Sequence, residues 1–165
     1  MKKLLLFVSM MILSLALVAC GGEEKGNEEG SKDSKKISGS ATAIAEKIVN
    51  DGKFNDEVVT IDADMAGQKL DIDMANVEES VCYWGTGDSA NMVYVAVFKE
   101  ASQAEAAKEK LEVYLDELKT ANESYDPEEV DKIDNAIVEI NGKYAILVIS
   151  DDNDAAQKNI DSFKK

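Results

Sequence analysis

The dipeptide Asn141-Gly142, set between the apolar runs Ala136 to Ile140 and Lys143 to Ser150, limits the fold of this chain more than any other feature. Asn-Gly between apolar runs is the strongest short-range hairpin signal, because both central residues of a type I′ turn need positive φ. The run Tyr144-Ala145-Ile146-Leu147-Val148-Ile149 is apolar at every position, which predicts a central strand rather than a half-wet one. A second strand pair precedes it. Val77 to Thr86 leads through Gly87-Asp88-Ser89 into Met92 to Lys99, whose Met-Val-Tyr-Val-Ala-Val-Phe reads as another buried strand.

Helices fill the intervals. Ile44, Ile48 and Val49 are spaced for a helix over Ala41 to Asn50, stopped by Asp51-Gly52. A long helix follows Lys99, with Ser102 and Glu105 as an expected capping box. Its apolar stripe is Ala104, Ala107, Leu111, Tyr114, Leu115 and Leu118. Asp126-Pro127-Glu128-Glu129 predicts a short helix ending near Asn135, with Asp126 as N-cap, Pro127 in the first turn and Glu129 reaching back. A last helix is expected from Asp154 toward Phe163. Val58, Val59 and Ile61 fit a short strand or an irregular extended segment. Leu70, Ile72 and Met74, alternating with Asp71 and Asp73, suggest another brief strand. Antiparallel pairs separated by helices predict an α+β fold: a four- or five-stranded antiparallel sheet built from two hairpins, with helices packed mainly on one face.

The chain opens differently. Lys2 and Lys3 precede an almost wholly apolar stretch, Leu4 to Ala16, which closes on Leu17-Val18-Ala19-Cys20. A positive n-region, a short apolar core and small residues make a secretory signal, too short for a spanning helix. Leu-Val-Ala-Cys resembles the lipobox of bacterial lipoproteins. That resemblance implies cleavage before Cys20, a diacylglycerol on its sulfur, and residence on the outer face of the cytoplasmic membrane. Two acyl chains give stable attachment where one gives marginal binding. The expected organisation is thus a signal over residues 1–19, a lipidated Cys20 with a polar tether through residue 40, and a single domain over 41–165. Gly, Ser, Glu, Lys and Asn dominate the tether, whose ~20 residues span roughly 25 Å on average.

Composition narrows the chemistry. The chain has no histidine, its 18 positive charges are all lysine, and 33 acids bring the net charge to −15. Removal of the signal takes Lys2 and Lys3 as well, giving −17. Such a surface repels phosphate backbones, so nucleic acid is not an expected partner. Without histidine there is no Ser-His or Cys-His nucleophile and no imidazole ligand for zinc. With Cys20 lipidated, Cys82 is alone and reads as a small buried hydrophobe. No phosphate-binding glycine loop is present. Asp151-Asp152-Asn153-Asp154 and the set Asp62, Asp64, Asp71 and Asp73 are oxygen-rich. The first lacks the glycine and distal glutamate of a calcium loop and is better suited to charging a helix N-terminus. No enzyme activity, cofactor or metal is expected.

Trp84, Tyr83 and Thr86 are the expected contact residues. Tyr and Trp combine an apolar body with a polar handle, and neighbours on a strand point to opposite faces, so one of the two rings should be exposed or covered by another element. Three functions compete. A protein- or wall-binding surface module is favoured; a small-solute receptor for a transporter and a carboxylate-only enzyme follow.

Several segments carry a family resemblance: Tyr-Trp-Gly-Thr-Gly, Val-Ala-Val-Phe-Lys before an Ala/Glu/Lys helix, Tyr-Asp-Pro-Glu-Glu, and Gly-Lys-Tyr-Ala-Ile-Leu-Val-Ile-Ser-Asp-Asp. Together with the Ala-rich opening helix, these resemble clostridial and related Gram-positive lipoproteins grouped as domain of unknown function 4358, over about residues 41–163. The resemblance implies a cell-surface lipoprotein and supplies no activity or functional residue.

Overall fold

A computed structural model describes residues 35–165. The signal segment, Cys20 and most of the tether lie outside the described residues. The elements are α1 (Ala41–Asp51), β1 (Val58–Ile61), α2 (Ala63–Lys69), a 3₁₀ turn (Met74–Asn76), β2 (Val77–Gly85), β3 (Met92–Phe98), α3 (Ala101–Tyr125), α4 (Pro127–Asp134), β4 (Ile137–Asn141), β5 (Tyr144–Ile149) and α5 (Asn153–Asp161). The five strands form one open antiparallel sheet in the order β1-β2-β3-β5-β4. This is the expected α+β class with both hairpins present. The ambiguous segment at Val58 is a strand, and it supplies the fifth.

Helices cover both faces of the sheet. One core joins Tyr94, Ala96, Leu147 and Ile149 to Ala66 of α2 and Leu70 at its end, Leu111 and Tyr114 of α3, and Ile133 of α4. The other joins Val93, Val95, Ile146 and Val148 to Ile44 and Ile48 of α1 and Ala156 and Ile160 of α5. The larger share of helix lies on the α3 face as expected, but the opposite face is not left to solvent. The reason is written in β3 and β5. Successive side chains alternate sides, and both strands are apolar at nearly every position, so each face needs a cover.

Local differences follow from specific bonds. The alternation at Leu70, Ile72 and Met74 is not a strand. Asp62 caps α2 by accepting from Asp64 N and Met65 N at 2.9 and 3.2 Å. Leu70 ends that helix, and Asp71 turns the chain with φ 53°. Ile72 N then donates to Gly67 O at 2.8 Å, closing the last turn. The capping box of α3 is Glu100 with Gln103, where Glu100 N donates to Gln103 Oε1 at 3.0 Å, two residues before the expected Ser102 and Glu105. In the β4–β5 hairpin Asn141 pairs with Tyr144, so the turn residues are Gly142 and Lys143. Positive φ falls on Gly142 alone, 59°, the pattern of a type II′ turn rather than I′. Asn141 is freed for another task. Its Oδ1 accepts from Ile37 N, and its Nδ2 donates to Lys35 O, each at 3.0 Å.

Residues 35–39 are therefore held to the domain rather than trailing as tether. Lys36 and Lys165 exchange two backbone hydrogen bonds of 3.0 Å, and Ser38 N donates to Phe163 O at 3.1 Å. The Tyr144 hydroxyl donates to Gly39 O at 2.8 Å. Ile37, an isolated apolar residue in the sequence, is 5% exposed and joins the α1/α5 core.

Candidate contact surface

The antiparallel registers sort the loops into two poles. Val97 lies opposite Tyr144 and Met92 opposite Ile149. Trp84 lies opposite Met92, and Val58 opposite Gly85. One pole thus gathers the β4–β5 turn, residues 35–39 and Phe163 to Lys165. The far pole gathers the segment before β1, the β2–β3 loop, the start of α4 and the segment after β5.

A nearly enclosed charge network holds the far pole together. Lys132 is flanked by Glu129 at 2.9 Å and Asp151 at 3.1 Å, and the lysine side chain is only 9% exposed. Glu129 does not reach back to its own helix start. It reaches across to the β2–β3 loop, accepting from Ala90 N at 2.8 Å. Asp151 accepts from Asn55 N and Nδ2 at 2.6 and 2.8 Å. Three loops are therefore pinned through one ammonium. Burial works against the charge on Lys132, but the two carboxylates outweigh it and hold the group above its ordinary value.

The residues expected to make contact do not converge. Trp84 is half-buried on the α3 face, edge-on to Tyr114 at a centroid distance of 6.4 Å, with Lys69 Nζ 5.6 Å from its ring centre. Tyr83 is half-buried on the opposite face, against the α1/α5 core. Both rings are covered because both faces carry helices. Thr86 is exposed, its N–H donating to Glu57 O at 2.8 Å. Sequence reasoning passed over Asn91, which is fully buried with both amide atoms unpartnered among the described residues. Its backbone clamps the loop, accepting from Gly85 N at 2.7 Å.

Several of the remaining acidic candidates are engaged structurally. Asp152 caps α5 through Ala155 N at 3.0 Å and pairs with Lys53 at 2.9 Å, and the lysine holds its carboxyl below the ordinary value. Asp71 pairs with Lys110, and Asp73 caps the 3₁₀ turn. Among the described residues no three acidic or thiol groups are placed to hold a metal ion. Cys82 is buried, and burial pushes its thiol up to about 12, which keeps it protonated and unreactive at neutral pH. Open grooves of ≈ 340 and ≈ 250 Å³ flank the Asp71–Lys110 pair between residues 69–76 and α3. No helix among the described residues is long and apolar enough to cross a membrane.

A family model described as domain of unknown function (DUF4358) matches residues 50–150. The chain belongs to this family. The match takes in all five strands with α2, α3 and α4, and stops short of α5 and of nearly all of α1. The DUF4358 segment therefore contains the whole sheet and the α3 face, with Glu129 and Lys132 of the far-pole network but not Asp151, which lies one residue beyond the match. No curated protein and no solved structure matches the chain.

Proposed function

We propose that this DUF4358 chain is an exported lipoprotein, held to the outer face of a Gram-positive cytoplasmic membrane through lipid on Cys20. Its domain acts as a non-catalytic binding module for another protein or for the wall. The observation that carries this reading is the separation of the poles. Lys35, where the described chain begins, is tied to the β4–β5 turn, so an anchor upstream of it pulls on that pole and leaves the other outward.

Charge supports the same orientation. At the pole of residues 35–39, Lys35, Lys36 and Lys165 are exposed with no ion-pair partner among the described residues, while Lys143 pairs with Glu78. At the far pole Asp56, Glu57, Asp88, Asp126, Glu128 and Asp154 have no ion-pair partner among the described residues. An anionic membrane surface repels the second set more than the first. The groups at the far pole with unusual surroundings, Glu129, Lys132 and Asp151, are consumed in pinning loops rather than aimed at a cleft.

Two measurements test this. Mass spectrometry of the membrane fraction should find Cys20 as the amino-terminal residue carrying a diacylglycerol; a chain retaining Met1 in the soluble fraction defeats the anchoring. A photo-crosslinking residue at position 88 should give a discrete adduct in intact cells, whereas one at position 143 should not. Equal yields from both sites defeat the outward orientation.

A further inference from the structure

The sheet has two edge strands, and β1 is the unguarded one. Thr86 N donates to Glu57 O, so the antiparallel ladder turns the peptide groups of residues 57, 59 and 61 toward β2. Val58 and Thr60 then direct their N–H and C=O groups outward, where no described residue meets them. Natural edges are blunted by short length, charge, proline, a bulge or a cover, and of these β1 has only its four-residue length. Val58-Val59-Thr60-Ile61 has no charge and no proline, and its register with β2 is unbroken. Val59 is 41% exposed and sits opposite Trp84, on the face where Met65 of α2 is 59% exposed. Acids flank the strand on both sides: Asp56 and Glu57 before it, Asp62 and Asp64 after it, none in an ion pair among the described residues.

We propose that the free edge of β1 is a strand-addition site for an extended, lysine- or arginine-bearing segment of a partner protein. The inference rests on the binding-module reading above and names its surface. Two outward N–H and two outward C=O groups set the register of an added strand. Alternate apolar side chains of that strand lie over Val59 beside the Trp84 ring, and flanking cations meet the acid pairs. A second copy of this chain would bring the same acids against each other, which argues for a partner of opposite charge.

The test uses the detergent-solubilised full chain and two probe peptides, acetyl-Lys-Lys-Val-Thr-Val-Lys-Lys-amide and its counterpart with Glu at the four Lys positions. Trp84 is the chain's one tryptophan and reports occupancy by fluorescence. The lysine peptide should bind saturably, slow amide exchange at Val58 and Thr60, and leave the other edge untouched; the glutamate peptide should not bind. Thr60→Pro removes an outward N–H that an edge strand tolerates losing, and should weaken binding at least about tenfold. Val59→Lys should do the same and leaves every backbone bond in place. Binding indifferent to both variants overturns the proposal, as does equal binding of the two peptides. A dimer of the unliganded chain that Thr60→Pro disperses also overturns it, in favour of a second copy. None of these results depends on lipid at Cys20, so failure here and failure of the anchoring are separately visible.

Discussion

The two edges of the sheet make an instructive pair. β4 carries Glu139 within its five residues, and that carboxylate accepts from Lys164 Nζ at 2.7 Å and Gln157 Nε2 at 2.8 Å. Its other face leans on α3, with Val138 and Ile140 packed against the α3-side core. Every β4 residue is half-buried. β1 has no charge, no such cover, and two of its four residues exposed. A protein that guards one edge with a buried-leaning charge and leaves the other bare treats the two surfaces differently. The guarded edge lies beside residues 35–39, the bare one on the far side of the sheet.

The sharpest way to break this comparison is to make one chemical change on each side. Ile37→Asp puts a carboxylate into the α1/α5 core beside the β4–β5 turn and should cost about 3–4 kcal/mol, from lost burial and an uncompensated polar group. Val59→Asp on the open strand should cost about 0.5 kcal/mol or less. Urea titration of both variants checks the contrast; equal costs would mean that β1 is as integral as the clasp.

The next effect concerns what lies beneath the open edge. Cys82 pairs in register with Ile61 and is 1% exposed. Its ordinary thiol value is 9.0, pushed up to about 12 by burial. The folded state keeps the proton where the unfolded state has lost it, so stability is intact below pH 9.0 and falls as pH rises from there toward about 12. The slope for one group is about 1.4 kcal/mol per pH unit. Tyr94 and Tyr114, also raised by burial, add to the fall above their ordinary value of 10.0. Cys82→Val should flatten the first part of this limb, read as urea midpoints from pH 8 to 10.

Smaller again is the loss from Asn141→Ala, which removes both side-chain bonds to residues 35 and 37. About 1–2 kcal/mol is expected, with faster amide exchange at Ile37 and none of that change at Thr60.

Much of this was readable in advance, for physical reasons that differ by element. Tyr144 to Ile149 announces a central strand because its apolar run leaves no wet face. The long α3 stripe is equally plain, since 3.6-residue spacing of Leu111, Tyr114, Leu115 and Leu118 has one geometric solution. The second helical layer was legible in principle. Val93 and Val95 on one side of β3, with Tyr94 and Ala96 on the other, already require two covers. What hid α2 was its shortness and its composition. Gly67 weakens a seven-residue helix, yet a Cβ there would come within 2.6 Å of Met74 Cγ, so packing overrides propensity. Ile37 was hidden by averaging, one apolar residue in a polar stretch, and its burial depends on partners more than a hundred residues away. The cover over both aromatic rings was hidden for a similar reason. Tyr83 and Trp84 are neighbours in sequence, but a strand sends them to opposite faces, and only the tertiary structure covers both.

The smallest stability effect carries the most weight for function. Val59→Lys places a charge at a site already 41% exposed, on a strand whose hydrogen bonds to β2 are made by backbone alone. Its effect on folding should stay within about ±0.5 kcal/mol. The added lysine is the residue that natural edges use to refuse an incoming strand. It also offsets the nearby carboxylates of Asp56 and Glu57, which would otherwise attract a cationic one. A crosslink formed in intact cells from position 88 should therefore persist in this variant if the partner grips only the far pole. It should vanish if the partner also pairs with β1. Since the fold is unchanged in either case, the outcome separates a surface that is merely bare from one that is bare because something adds to it.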